Sequence, residues 1–167
     1  MAQMVRQWAD WISSTALSQW FQNELWVVPT SQSIHILALS VVFGCAVMVN
    51  LRLLGIGATS GRSVSRLIDS LVPWIYRALV ALLLTGAVQI IAEPMRQFGT
   101  PAFWLKMLMI PVVLGLTAAF AGVVRRNPAK WDSAATRPAG AKVFALVSLG
   151  LWVGIIFCGR FIGYTHV

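Results

Sequence analysis

The run from Ile34 to Arg52 constrains this chain more than any other stretch. It is apolar almost throughout, with one imidazole, His35, near its start and Asn50 near its end. From His35 to Asn50 alone the rise is roughly 22 Å at ~1.5 Å per residue, most of a hydrocarbon core of about 30 Å. A segment in lipid must satisfy its backbone polar groups internally, so this run predicts a transmembrane helix rather than a strand. An ionisable side chain inside such a helix is costly, which makes His35 a candidate functional residue.

Composition agrees. Only 11% of the 167 residues are charged and 58% are hydrophobic, against about 25% charged in soluble domains. Eight tryptophans in so short a chain fit interfacial aromatic belts. The net charge of +8 does not point to nucleic acid, because the basic residues fall between apolar runs and not on one soluble face. The start lacks a continuous apolar core followed by a small-residue cleavage site, so no cleavable signal peptide is expected. Cys45 and Cys158 lie in apolar runs without metal-ligand spacing and read as free buried thiols.

The expected fold class is all-α: an integral membrane four-helix bundle with an N-terminal amphipathic interfacial helix. Within residues 1–32, Trp8, Trp11, Ile12, Ala16, Trp20 and Phe21 recur at helical spacing among polar residues. Pro29 and Thr30 are expected to end or bend that segment. Residues 33–167 form the membrane domain, with spans at about 33–53, 72–92, 102–124 and 143–164. Pro111 predicts a kink in the third span. Gly150 and Gly154, and Gly159 and Gly163, put small residues on one face of the fourth, which permits close helix packing.

Loop charge sets the orientation. The side opposite the N-terminus carries Arg52, Arg62, Arg66, Arg125, Arg126, Lys130, Arg137 and Lys142, with Arg77 just inside the second span. The N-terminal side carries Arg6, Arg96, Lys106 and Arg160. The positive-inside rule makes the first side cytoplasmic and both termini periplasmic in a bacterial inner membrane.

Four segments then bring polar groups to one leaflet. His35 opens the first span, Glu93 closes the second, Lys106 lies about one turn into the third, and Arg160 lies about one turn from the end of the fourth, followed by His166. A neutral imidazole is a standard axial ligand for haem iron, and helix bundles build cofactor sites from facing helices. Lys106 and Arg160 have the charge and depth to meet haem carboxylates, or Arg160 pairs with Glu93. A quinone headgroup is the other cofactor that His35 and Lys106 suit. His35 is the expected metal ligand, with Ser31 or Thr30 as acceptor for its second ring nitrogen and His166 as a candidate sixth ligand.

The run His35 to Gly55, ending Asn50-Leu51-Arg52-Leu53-Leu54-Gly55, resembles an uncharacterised bacterial family of four-helix membrane proteins. Ala102-Phe103-Trp104-Leu105-Lys106 and Cys158-Gly159-Arg160-Phe161-Ile162-Gly163-Tyr164 are similar to that family's other signatures. A more distant resemblance, carried by His35, Gly44, Arg52 and Lys106, reaches the HemJ-type protoporphyrinogen oxidases and the copper-resistance D membrane proteins. The expected function is a membrane haem b protein passing electrons between a periplasmic partner and the quinone pool, an electron-transfer subunit more than a stand-alone enzyme. The alternatives are a HemJ-type enzyme that oxidises a porphyrinogen, and a cofactor-free anchor or assembly subunit of a larger membrane complex. The expected partners are the lipid bilayer and a periplasmic redox protein or larger complex.

Overall fold

A computed structural model describes residues 2–56, 63–132, 138 and 140–164. The described residues form eight helices: α1 (Ala2–Ser13), α2 (Ala16–Asn23), α3 (Val27–Leu53), α4 (Val64–Ala92), α5 (Pro94–Phe98), α6 (Pro101–Arg126), α7 (Pro128–Asp132) and α8 (Gly140–Ile162). Four of them, α3, α4, α6 and α8, are long and apolar enough to cross a bilayer. At most 33% of the most apolar stretch of any of these four is buried inside the protein. Their outward faces carry Leu37, Leu83, Leu84, Leu108, Leu146 and Phe157, all exposed, as a lipid-facing surface requires. The protein is an all-α membrane bundle.

The spans run antiparallel, so α5 joins two of them at one end and α7 lies at the other. The tightest seam is α3 against α4, followed by α6 against α8; α8 also packs on α3, whereas α4 and α6 meet only sparsely. The α3 stripe explains its position. Ser31, Ala38, Val42, Cys45, Ala46, Asn50 and Leu53 are buried at helical spacing. A core of Leu53, Ile68, Val72, Phe120, Val124 and Trp131 fills the α7 end, and a second one of Val42, Cys45, Ile75, Val113, Trp152 and Ile155 fills the middle. At the α7 end Phe120 stacks on Phe144 at 4.2 Å and meets Trp131 edge-on at 5.0 Å. A cavity of about 20 Å³ lies there, walled by Asn50, Thr117, Phe120 and Ser148 among others.

The amphipathic N-terminal segment is two helices. Ser14 and Thr15 break it, and the Thr15 side chain caps α2 by accepting from the Ser18 N–H. Its inward face is made of small residues, not tryptophans. Ala9 is buried against the bundle, and the fully buried Ser18 donates its hydroxyl to the Ile91 carbonyl at 2.6 Å. Trp8, Trp11 and Trp20 point outward.

The first two spans start earlier than the sequence predicts. The first begins at Val27, because Pro29 falls in the first turn, where its missing N–H has no helical acceptor to lose. A boundary at residue 33 therefore cuts through α3. The second begins at Val64, capped by the Ser63 side chain and held by Asp132, which accepts from the Ser65 N–H at 2.9 Å and its hydroxyl at 2.7 Å. The third and fourth spans, at Pro101–Arg126 and Gly140–Ile162, lie within three residues of expectation, and α6 stays helical through Pro111. Arg62, Arg137 and His166 lie outside the described residues.

Candidate functional site at the α5 end

His35 sits two turns into α3, on the stripe that faces α4. Its Nδ1 lies 2.8 Å from Thr85 Oγ1. Thr85 has one hydroxyl hydrogen, and that points at the Ala81 carbonyl at 2.7 Å, with Leu82 at 3.3 Å. Thr85 therefore accepts, and the ring donates from Nδ1. In the neutral ring this tautomer leaves the lone pair on Nε2. One turn earlier, buried Ser31 donates its hydroxyl to the Thr85 backbone carbonyl at 3.1 Å. Two α3 side chains one turn apart thus grip one α4 residue.

The acceptor for the ring is therefore Thr85, not Ser31 or Thr30. Ser31 is committed to the Thr85 carbonyl, and a residue one turn away on the same helix points its side chain parallel to His35 rather than into its ring. The neighbouring α4 residue is glycine. A Cβ on Gly86 would stand 3.8 Å from His35 Cε1, in ordinary van der Waals contact, so Gly86 lies alongside the ring.

Lys106 lies five residues inside α6 from Pro101 and is half-buried. Its ammonium is 5.8 Å from the centre of the buried Phe103 ring and close enough to both His35 and Cys158 to interact electrostatically. α3, α6 and α8 thus each bring a side chain to this end of the bundle. Gln89 lies one turn beyond Thr85 on the same face of α4, and its buried Nε2 has no partner among the described residues.

Arg160 does not join this group. Cys158 is the α8 residue near Lys106, and Arg160 stands two positions, about 200° of helix, further round. Its guanidinium is exposed, donates to the Tyr164 hydroxyl at 2.8 Å and lies 4.8 Å over that ring. Nor does it pair with Glu93. Arg96, three residues from Glu93 across the α4–α5 corner, takes that carboxylate at 2.8 Å and also caps α8 through the carbonyls of Ile162 and Gly163. The glycine pairs of α8 act singly. Gly154 meets α6, and Gly163 lies beneath Arg96, while Gly150 and Gly159 face open space.

Both cysteines are free. No group of three or more His, Cys, Asp or Glu forms among the described residues. Thr85, Gly86 and Gln89 carry the site from the α4 side. The sequence shows them as three small or polar residues in an apolar helix, at the depth of His35.

Residues 10–165 match DUF6644, a family of unknown function. The chain belongs to that family. No curated protein and no solved structure matches it. The match agrees with the resemblance to an uncharacterised family and covers both ends of the DUF6644 bundle, from α1 to the turn after α8.

Proposed function

We propose that this protein is a membrane haem b protein whose iron His35 Nε2 would hold, and that it passes electrons between a periplasmic partner and the quinone pool. The observation that carries this reading is the Thr85-oriented ring. Nδ1 donates to Thr85 Oγ1, which leaves the lone pair of the neutral ring on Nε2. Ligating histidines are oriented in this way, through a second hydrogen bond on the far nitrogen.

The residues present fit such a group. One imidazole suffices when four ligands come from the macrocycle. The bundle core has no haem-sized space at the known cavity, which is about 20 Å³ and lies at the other end. A flat ring would have to enter from lipid, and the seam between α4 and α6, where the two helices meet only sparsely, would admit it with the least loss of packing. When bound, haem iron supplies one-electron chemistry. The chain's own residues orient the imidazole and hold cationic and amide donors on the same side. The basic residues Arg52, Arg66, Arg125, Arg126, Lys130 and Lys142 crowd the α7 end, whereas Arg77 falls near the middle of α4, so the α5 end with His35 faces the periplasm of a bacterial inner membrane.

The test is the absorbance of the full chain, purified in detergent after expression with ample haem. A Soret band and reduced b-type bands that develop on adding a quinol support the proposal. Monodisperse, folded protein that takes up no haem overturns it in favour of an anchor or assembly subunit. Reporter fusions at both termini should give periplasmic signals, and a cytoplasmic signal from either rejects the orientation.

A further inference from the structure

We infer that Lys106, supported by Gln89, receives a carboxylate carried by the ring compound that His35 faces, so that the site selects an anionic, lipid-soluble ring over its neutral ester. The inference rests on the proposed function for the ring's identity, but its grounds are separate.

Charge is the first ground. The chain has five acidic residues, and none of them forms an ion pair with Lys106. Glu93 is bound by Arg96, Asp69 by Arg125 and Asp132 by Ser65. Glu24 accepts from the Trp26 indole, and Asp10 is exposed on α1. Lys106 is thus a half-buried cation with no counter-ion among the described residues. A charge taken out of water is retained when it is paired.

Direction is the second. A lysine near a helix end often snorkels to the surface. Lys106 leans the same way but stops over the ring of Phe103, which is 4% exposed, and so stays half-buried. Helical side chains lean toward the helix N-terminus, so Nζ sits one turn nearer the periplasmic surface than its own Cα. An anionic group there leaves the rest of its molecule at the depth of the imidazole.

The third ground is an orphan donor. Gln89 Nε2 is buried and has no acceptor among the described residues. It lies one turn, about 6 Å, beyond Thr85 toward the same surface. A buried N–H is nearly always paired, and a carboxylate has the acceptor capacity to serve an ammonium and an amide together. The ligand class that satisfies all three is a flat apolar ring bearing a carboxylate at one edge.

The experiment compares iron protoporphyrin IX with its dimethyl ester, titrated into the full-length protein in nanodiscs and followed at the Soret band. A parallel series uses the two metal-free porphyrins, followed by fluorescence. The wild type should bind the diacid about tenfold or more tightly than the ester, the value of one charge-assisted contact. Lys106→Met should bring the diacid down to the ester's affinity and leave the ester unchanged. Gln89→Leu should narrow the preference by a smaller factor. Equal wild-type affinity for diacid and ester, with or without iron, overturns the inference, and so does a Lys106→Met variant that weakens both forms alike. The metal-free series separates the two claims. A diacid preference that persists there, with iron binding untouched by His35→Ala, keeps the carboxylate site and rejects ligation.

Discussion

Thr85→Val removes one oxygen and keeps the volume and branching of the side chain. The Thr85 backbone carbonyl still receives Ser31, so the grip of α3 on α4 is halved and not lost. What goes is the 2.8 Å acceptor of the His35 ring. Leaving Nδ1–H without a partner in a half-buried site costs about 1–3 kcal/mol. Loss of the hydroxyl's own bond to the Ala81 carbonyl adds little, since such back-bonding to a carbonyl of the same helix is near-neutral. The ring also loses what fixes its tautomer and direction, and orienting partners of this kind are worth about 10–100-fold in ligand affinity. Thr85→Ser restores the oxygen and should recover most of both losses. Haem titration at the Soret band and thermal unfolding in matched detergent measure them. Two results refute the reasoning: a Val variant that melts and binds like wild type, or a Ser variant as weak as Val.

Three further outcomes follow from the packing. At Asp132, slight burial opposes ionisation, but hydrogen bonds from Ser65, Ser63 and Val64 outweigh it and hold the carboxyl below the usual range. Its stabilising contribution is therefore present above the ordinary Asp value of about 3.9 and fades as pH falls below it. Asp132→Asn at neutral pH should speed hydrogen exchange at the start of α4 and in α7, and unchanged protection there contradicts the latch. A Cβ on Gly154 would lie 2.6 Å from Met109 Cε, the mobile end of a flexible side chain, so Gly154→Ala should be tolerated. Gly154→Leu should push α6 from α8 at about 1–3 kcal/mol, and an unshifted melting temperature argues against that seam. Phe120→Ala removes a ring held between Phe144 and Trp131 and should cost about 3–5 kcal/mol in reversible unfolding; a loss below 1 kcal/mol, on the order of a surface change, means that the α7 end is not a packed core.

The spans were legible because lipid demands long apolar helices, and four such runs stand clear in the sequence. Their starts were less so. Pro29 reads locally as a breaker, yet in the first turn of α3 it forfeits nothing. The start of α4 depends on Asp132, which is 67 positions away and invisible to any local window. The same separation of scales governs the site. Antiparallel topology alone puts His35 and Lys106 in one leaflet, and the structure brings them within electrostatic reach. The ring's acceptor lies 50 residues off in Thr85, so local reasoning settled on Ser31 and Thr30. Arg160 matches Lys106 in depth but not in azimuth, because two residues of helix turn it to the opposite side. Glu93 takes the cation three residues away, Arg96, whose reach is assured by the chain.

The most direct measurement of the central claim is chemical rescue of His35→Gly. The substitution deletes the imidazole and leaves a gap beside Gly86 into which free imidazole fits. Wild-type protein should show its ferric haem spectrum without any added imidazole. His35→Gly, folded and given the same haem, should lose or shift the Soret band and regain the wild-type spectrum as imidazole is added. A His35→Gly spectrum identical to wild type before any imidazole is present would contradict ligation by His35.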